Sequence, residues 1–359
     1  MTTEHFFRSV VLREKAYHVS DDSAPVKLNQ NENPYSPPAE LTEALVADFR
    51  QFALNRYPSV FPDELNKKLA EHLGVHPDCI LTGHGSNELI YSSLWAILGY
   101  GDRVFIPSPS FSLYGTVAGF CEASVLSVLP DEHTLRHDPV VLEEELIRHQ
   151  PKLTILCNPN NPSAQVIPHA DLTNLIQKAA GLVWLDEAYI DYSVNPTLVP
   201  VLDDYRNLII LRTFSKAYGL AGIRLGYLLG SPEVMIQLRK TKVPFTVDAF
   251  SQRVGIRLLE HQDWVESVTR QILAERSRLA SELSRLSGLR LFETDTNFFI
   301  FKVLEKTAAS VFRELVNGGV LVRNVSGYPA MADCLRVNVG TPEENDHFLK
   351  TMKMIFPAN

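Results

Sequence analysis

Lys216 stands in the stretch Arg212-Thr213-Phe214-Ser215-Lys216-Ala217-Tyr218-Gly219-Leu220-Ala221-Gly222-Ile223-Arg224, directly after the apolar run Leu208-Ile209-Ile210-Leu211. A lysine just past a buried strand is partly desolvated, and burial lowers an ammonium pKa. That makes Lys216 a candidate amine nucleophile for Schiff-base chemistry. Ser215 adds a hydroxyl and Arg224 a fixed cation, and together they can hold a phosphate beside the amine. An amine that meets an aldehyde, next to a phosphate anchor, is the requirement of pyridoxal 5'-phosphate (PLP).

Three other polar signals follow apolar runs upstream. Gly83-His84-Gly85-Ser86-Asn87 opens a helix, whose backbone N–H groups can bind phosphate. Asn158-Pro159-Asn160-Asn161-Pro162 is either a rigid turn or a loop that points Asn161 at an acceptor such as a ring hydroxyl oxygen. Asp186 ends the run Leu182-Val183-Trp184-Leu185. A carboxylate there needs a partner, and a buried salt bridge or a pyridinium N–H would each serve. Tyr189, three residues on, is in reach of the same ring, and Phe111 is either core or a stacking platform.

These residues require elements that bring strand ends together. Short apolar runs at 79–82, 104–106, 124–129, 153–157, 182–185 and 208–211 alternate with helical stretches. Continuous apolar strands between helices predict a mostly parallel α/β sheet buried on both faces, with ligands at the carboxyl ends of its strands. From about residue 247 the pattern changes. A charged helical stretch over 250–285 is followed by strands at 289–292, 297–303, 320–323 and 335–339 and a final helix through 343–355, which suits a smaller α/β domain. The expected division is an arm over 1–38, a large PLP-binding domain over 39–246 and a small domain over 247–359.

Composition narrows the function. The chain has 359 residues, 45% hydrophobic and 21% charged, with net charge −8 and no long Lys/Arg run, so nucleic-acid binding is not expected. Cys79, Cys121, Cys157 and Cys334 are far apart, which fits a reducing cytoplasm and neither disulfides nor a zinc cluster. His133 and His137 have the spacing of metal ligands on a helix, but no further ligands accompany them and both are read as solvated, with no metal expected. No apolar run is of membrane-spanning length, and the start of the chain lacks a basic region before an apolar core, so neither a membrane span nor a secretion signal is expected.

The motifs Asn158-Pro159-Asn160-Asn161-Pro162, Asp186-Glu187-Ala188-Tyr189 and Ser215 to Arg224 resemble those of the fold-type-I PLP-dependent aminotransferases, over nearly the whole chain. Leu28-Asn29-Gln30-Asn31-Glu32-Asn33-Pro34-Tyr35, Arg56-Tyr57-Pro58 and Leu335 to Asn345 look like the histidinol-phosphate branch of that superfamily. The resemblance implies a seven-stranded, mostly parallel sheet in the large domain and a homodimer with shared active sites. It implies that Lys216 carries the cofactor and moves the substrate proton, and that Asp186 pairs with the pyridine nitrogen. Asn161 and Tyr189 would contact the ring oxygen and Phe111 would stack. Ser86, Asn87, Thr213, Ser215 and Arg224 would surround the phosphate, joined by Tyr57 from the neighbouring subunit. Arg336 would bind a substrate carboxylate, and Arg323 and Tyr17 a substrate phosphate. The implied reaction moves an amino group from histidinol phosphate to 2-oxoglutarate. An aromatic amino-acid aminotransferase and a threonine-phosphate decarboxylase are the alternatives. A regulator that uses this fold to sense PLP would need an attached DNA-binding module, for which the aminotransferase-like pattern leaves little chain. One departure is Asn161-Pro162-Ser163-Ala164, where the family reads Asn-Pro-Thr-Gly; alanine takes positive φ less readily than glycine, so a local difference in the loop is expected.

Overall fold

The computed structural model describes residues 3–14, 16 and 22–356. In chain order its strands are β1 (Val26–Lys27), β2 (Ile80–Gly83), β3 (Arg103–Phe105), β4 (Ser124–Leu126), β5 (Leu153–Cys157), β6 (Leu182–Asp186), β7 (Leu208–Thr213), β8 (Gly226–Gly230), β9 (Leu289–Leu291), β10 (Phe298–Val303), β11 (Val320–Leu321), β12 (Arg323–Asn324) and β13 (Cys334–Asn338). Seven of them form one sheet in the order β2-β8-β7-β6-β5-β3-β4. Only β8 runs against the rest, pairing antiparallel with both β2 and β7.

The central strands are apolar throughout because both faces of the sheet are covered. Successive side chains alternate between the faces. Ile155, Trp184, Ile209, Leu211 and Leu228 pack into one buried cluster, while Leu156, Val183, Leu185, Ile210 and Leu229 belong to another. The strands that carry the polar signals are therefore gripped from both sides, and their ends are fixed relative to one another.

A second, antiparallel sheet has the order β12-β13-β10-β9. Beside it β1 pairs in parallel with β11, so the segment before residue 28 is tied to the C-terminal third of the chain. The last helix, Pro342–Ile355, opens with a reciprocal capping box between Thr341 and Glu344. Among the described residues no helix is long and apolar enough to cross a membrane.

The structure departs from the sequence reading in several places. The charged helical stretch expected over 250–285 is helical and is divided into Ala249–Leu259 and Gln262–Leu283. The first packs against the helices Ala39–Phe49 and Asp63–Leu73, with the Arg257 guanidinium on both oxygens of Asp48 at 2.8 and 3.0 Å. The expected strand over 320–323 breaks at Val322, because β11 joins β1 and β12 joins β13. Strand β8 was missed; its short apolar core is bounded by glycines and follows the lysine loop so closely that it reads as loop. His137 is half-buried rather than solvated, with Nε2 3.1 Å from the Ser108 carbonyl, and burial lowers its pKa.

One buried ion pair ties β6 to β7. Arg212, 6% exposed, meets Asp191 at 2.7 Å and Glu187 at 3.5 Å. Glu187 also accepts from the Thr197 hydroxyl at 2.6 Å and the Leu198 amide at 2.9 Å. Arg212→Leu leaves Glu187 buried without its cation and is expected to cost about 3–5 kcal/mol of unfolding free energy, measured by denaturant titration at fixed protein concentration. A loss under about 1 kcal/mol would show that the pair does not hold the strand ends.

Candidate functional site

Strands β5, β6 and β7 lie side by side in register, with Cys157 opposite Asp186 and Asp186 opposite Leu211. Their exits therefore gather Asn158, Asp186 and the Thr213–Lys216 turn. Asp186 is buried. Its Oδ1 accepts the Ala188 amide at 2.8 Å, and its Oδ2 accepts the Tyr114 hydroxyl. Among the described residues it has no ion-pair partner; the buried salt bridge weighed for this strand end belongs instead to its neighbour Glu187. Burial raises the Asp186 pKa, and the donors Tyr114 and Ala188, then Cys157 and the charge of Lys216, oppose that rise. The result is a carboxylate in an apolar setting that lacks a bound cation, and such a group is costly unless a ligand completes it.

Lys216 is half-buried, and its Nζ donates to the Gln30 carbonyl at 3.0 Å. The ammonium lies 5.6 Å from the centroid of the Tyr189 ring. Burial lowers its pKa to about 7, helped by the cations Arg336 and Arg224 and opposed by Glu32 and Asp186. At neutral pH much of Lys216 is therefore the free amine, the form that attacks a carbonyl.

An anion site forms where helix Gly85–Ile97 begins. Its first turn carries unpaired amides and the positive end of the helix dipole. Strand β8 comes close: a Cβ on Gly226 would lie 2.8 Å from the Ser86 amide nitrogen. A Cβ on Gly85 would lie 2.6 Å from Nη2 of Arg224. Both glycines thus leave open a cradle that any side chain would fill. Arg224 holds the left-handed conformation at φ 57° and donates from Nη1 to Ser215 Oγ at 3.4 Å and to the Ala221 carbonyl at 3.0 Å. The Thr213 hydroxyl oxygen accepts the Ser215 amide at 3.1 Å. Ser86 is half-buried and Asn87 exposed at the mouth. Phe111 caps the start of helix Ser112–Phe120 and meets the Tyr114 ring edge-on, with centroids 5.8 Å apart.

The opposite wall comes from the second sheet. Arg336 on β13 donates from Nη1 to Asn161 Oδ1 at 2.7 Å and from Nη2 to the Asn29 carbonyl at 2.9 Å, with its guanidinium 5.3 Å from the Phe298 ring centroid. Arg323 on β12 is the register partner of Arg336. Residues directly opposite in an antiparallel pair share a face, and like charges placed there destabilise it. Arg323 makes no hydrogen bond or ion pair among the described residues. Two arginines at paired positions of one ladder therefore favour an anion. Tyr189, buried, accepts from Asn31 Nδ2 at 2.9 Å and packs edge-on against Phe298.

One expected residue stands apart and one lies outside the described residues. Tyr57 is 84% exposed with its ring on Phe245 at 4.9 Å, and Tyr17 lies outside the described residues. Ala164, fully buried, adopts φ 65°, its amide bonded to the Asn160 carbonyl at 2.8 Å. The loop thus keeps the left-handed residue without a glycine, at a strain of about 1–2 kcal/mol. The sequence reading missed Tyr114, Asn31 and the Glu187–Arg212–Asp191 cluster. Tyr114 was legible in principle, because it stands one helical turn beyond Phe111.

The lowered Lys216 pKa has a direct consequence. The neutral fraction of the amine grows as pH rises through about 7, whereas an ordinary lysine needs pH above about 10. Reductive methylation at neutral pH, followed by peptide mass spectrometry, is expected to label Lys216 faster than surface lysines, with half-maximal rate near pH 7. Labelling that rises only above pH 9 would show an ordinary ammonium.

Comparison with known proteins agrees with this geometry. The family model for aminotransferase class I and II matches residues 23–352. Histidinol-phosphate aminotransferase of Chlorobaculum tepidum is 41% identical over 92% of this chain and 94% of its own. Among solved structures, histidinol-phosphate aminotransferase from Sinorhizobium meliloti in complex with pyridoxal-5'-phosphate superposes with a TM-score of 0.84 at 24% identity, covering 97% of this chain and 98% of that one. L-threonine-O-3-phosphate decarboxylase from Porphyromonas gingivalis has a TM-score of 0.81 at 22% identity, covering 92% of this chain and 99% of that one, so the fold alone does not select the reaction. With the family model spanning most of the chain and a close relative matching nearly end to end, the chain belongs to the class I and II aminotransferases.

Proposed function

We propose that this chain is a PLP-dependent histidinol-phosphate aminotransferase, transferring the amino group of histidinol phosphate to 2-oxoglutarate to give imidazole acetol phosphate and glutamate in histidine biosynthesis. The observation that carries the reading is the pairing of a half-buried Lys216, pKa about 7, with an Asp186 carboxylate that is buried without a cation among the described residues. Such a site fits a ligand with a carbonyl for the amine and a ring N–H for the carboxylate. The cradle between Gly85, Ser86, Ser215 and Arg224 fits its phosphate.

When bound, PLP supplies a protonated pyridine ring that draws electrons from the substrate Cα. Asp186 holds the ring nitrogen's proton, and Tyr114 and the Ala188 amide keep the carboxylate oriented. Lys216, largely neutral near pH 7, takes the proton from the substrate Cα. Asn161 and Tyr189 orient the ring at its hydroxyl oxygen, and Phe111 stacks on it. Ser86, Asn87, Thr213, Ser215 and Arg224 hold the phosphate. Arg336 and Arg323, with Tyr17, receive the distal anion of either amine, the phosphate of histidinol phosphate or a carboxylate of glutamate; a guanidinium matches both in bidentate fashion. The working unit in this proposal is a cytoplasmic homodimer whose Tyr57 reaches the neighbouring subunit's phosphate site, with the large domain over 39–246 and the small one over 247–359.

The test is a half-reaction screen by absorbance, adding histidinol phosphate, phenylalanine, tyrosine and threonine phosphate separately to the PLP form. Histidinol phosphate is expected to convert the cofactor fastest. A preference for phenylalanine would make the chain an aromatic aminotransferase. Carbon dioxide release from threonine phosphate would make it a decarboxylase. Arg323→Leu is expected to weaken kcat/KM for histidinol phosphate by about 1.5–3 kcal/mol, the worth of a hydrogen bond to a charged group, and to leave phenylalanine nearly unchanged. An equal loss for both amines would make Arg323 structural.

The shared site has its own test. Lys216→Ala is expected to be inactive and Tyr57→Phe weakened. After subunit exchange, mixed dimers carry both lesions at one site and neither at the other, so activity partly returns. Demonstrated exchange without recovery would place Tyr57 outside the site.

A further inference from the structure

Asn31 lies in the strap Asn29–Tyr35, and its contacts give it a specific task. It is 1% exposed and holds the left-handed conformation at φ 55°. Its amide donates to Asn338 Oδ1 at 3.2 Å, and its carbonyl accepts from Asn297 Nδ2 at 3.2 Å. Two buried asparagines of the second sheet region thus fix a backbone conformation that is unfavourable for most residues, and strain of this kind persists only where the surroundings enforce it. The side chain so placed sends Nδ2 to the Tyr189 hydroxyl at 2.9 Å.

With Asn31 Nδ2 facing it, the Tyr189 oxygen is the acceptor and its hydrogen points elsewhere, while Asn31 Oδ1 is buried without a hydrogen-bond partner among the described residues. No protein acceptor takes that hydrogen among the described residues. The charged and titratable groups around Tyr189 include Arg336, Cys157, Asp186, Tyr192 and Lys216. We propose that Asn31 is a positioning residue that turns the Tyr189 hydroxyl hydrogen into the cleft, so that Tyr189 donates to the ligand's ring oxygen rather than accepting from it. The inference rests on the PLP reading of the site, because that ring oxygen is the acceptor in question. It also gives the strap a role: the second sheet, through Asn338 and Asn297, sets the direction of one hydrogen bond in the cleft.

The experiment uses the PLP-loaded protein and reads the pH midpoint of its visible absorbance change. A donor on the ring oxygen withdraws charge from it and holds that midpoint down. Asn31→Asp offers Tyr189 an acceptor in place of a donor, so its hydrogen turns away from the cofactor. The midpoint is expected to rise by about one pH unit, the scale of one net hydrogen bond. Asn31→Gly suits the left-handed backbone and removes only the side chain; it is expected to shift the midpoint the same way by less, and it serves if the aspartate variant folds poorly. In a Tyr189→Phe background neither change is expected to move the midpoint further. A wild-type midpoint in both Asn31 variants, or an equal shift with and without the Tyr189 hydroxyl, would overturn the inference while leaving PLP binding intact. A protein that takes up no PLP at all would overturn the reading of the site and this inference with it.

Discussion

A carboxylate at the end of a strand buried on both faces cannot remain there without compensation, and the architecture of the cleft follows from how Asp186 is treated. It receives hydrogen bonds from Tyr114 and the Ala188 amide but no cation among the described residues. The cation that would neutralise a strand end goes to the next residue, Glu187, through Arg212. The alternation of a strand explains how both conditions hold at once: successive side chains leave the sheet on opposite faces, so one carboxylate meets the cleft and the other the internal ion pair. Asp186 is thereby kept available for a ligand, while the strands that hold it are locked.

Lys216 answers to the same constraint from the other side. It emerges one strand over, between the positive charges of Arg336 and Arg224, and burial does most of the work of lowering its pKa. The neutral amine and the uncompensated carboxylate are complementary consequences of one low-dielectric cleft. The anion cradle then depends on backbone approach. Gly226, at the start of the one reversed strand, lets β8 close on the first turn of helix Gly85–Ile97, and the left-handed Arg224 brings its guanidinium beside Gly85. A Cβ on Gly226 would press on the Ser86 amide, and one on Gly85 would press on the Arg224 guanidinium.

The second sheet contributes the opposite wall and does so through the chain's early residues. Strand β1 pairs with β11, and the strap that follows lies between β13 and the lysine, with Gln30 on Lys216, Asn29 on Arg336 and Asn31 on Tyr189. Residues nearly two hundred positions from Lys216 thus make up part of its cleft. The paired register of Arg323 and Arg336 puts two like charges on one face of a short antiparallel ladder. That repulsion is tolerable where an anion is the intended neighbour.

The sequence by itself determined the parallel sheet, the strand ends and the motif residues Lys216, Asp186, Asn161, Ser215 and Arg224, because each depends on local pattern: an apolar run, then a polar group at its exit. It also pointed to Arg323 and Arg336, by resemblance. It did not reveal β8, whose glycine-bounded core is too short to stand out from the surrounding loop, nor the break at Val322, which arises because two different partners capture adjacent pairs of residues. It left Asp186 open between a salt bridge and a ligand. Tertiary structure shows no salt bridge to Asp186 among the described residues and gives the cation to Glu187, since the partner of a buried charge is set by which side chains reach it across strands and not by its neighbours in sequence. The same reason put Tyr114, Arg212 and Asn31 beyond a linear reading: each acts on a site residue 25 to 158 positions away or across a strand pair, and only packing brings those partners within a hydrogen bond.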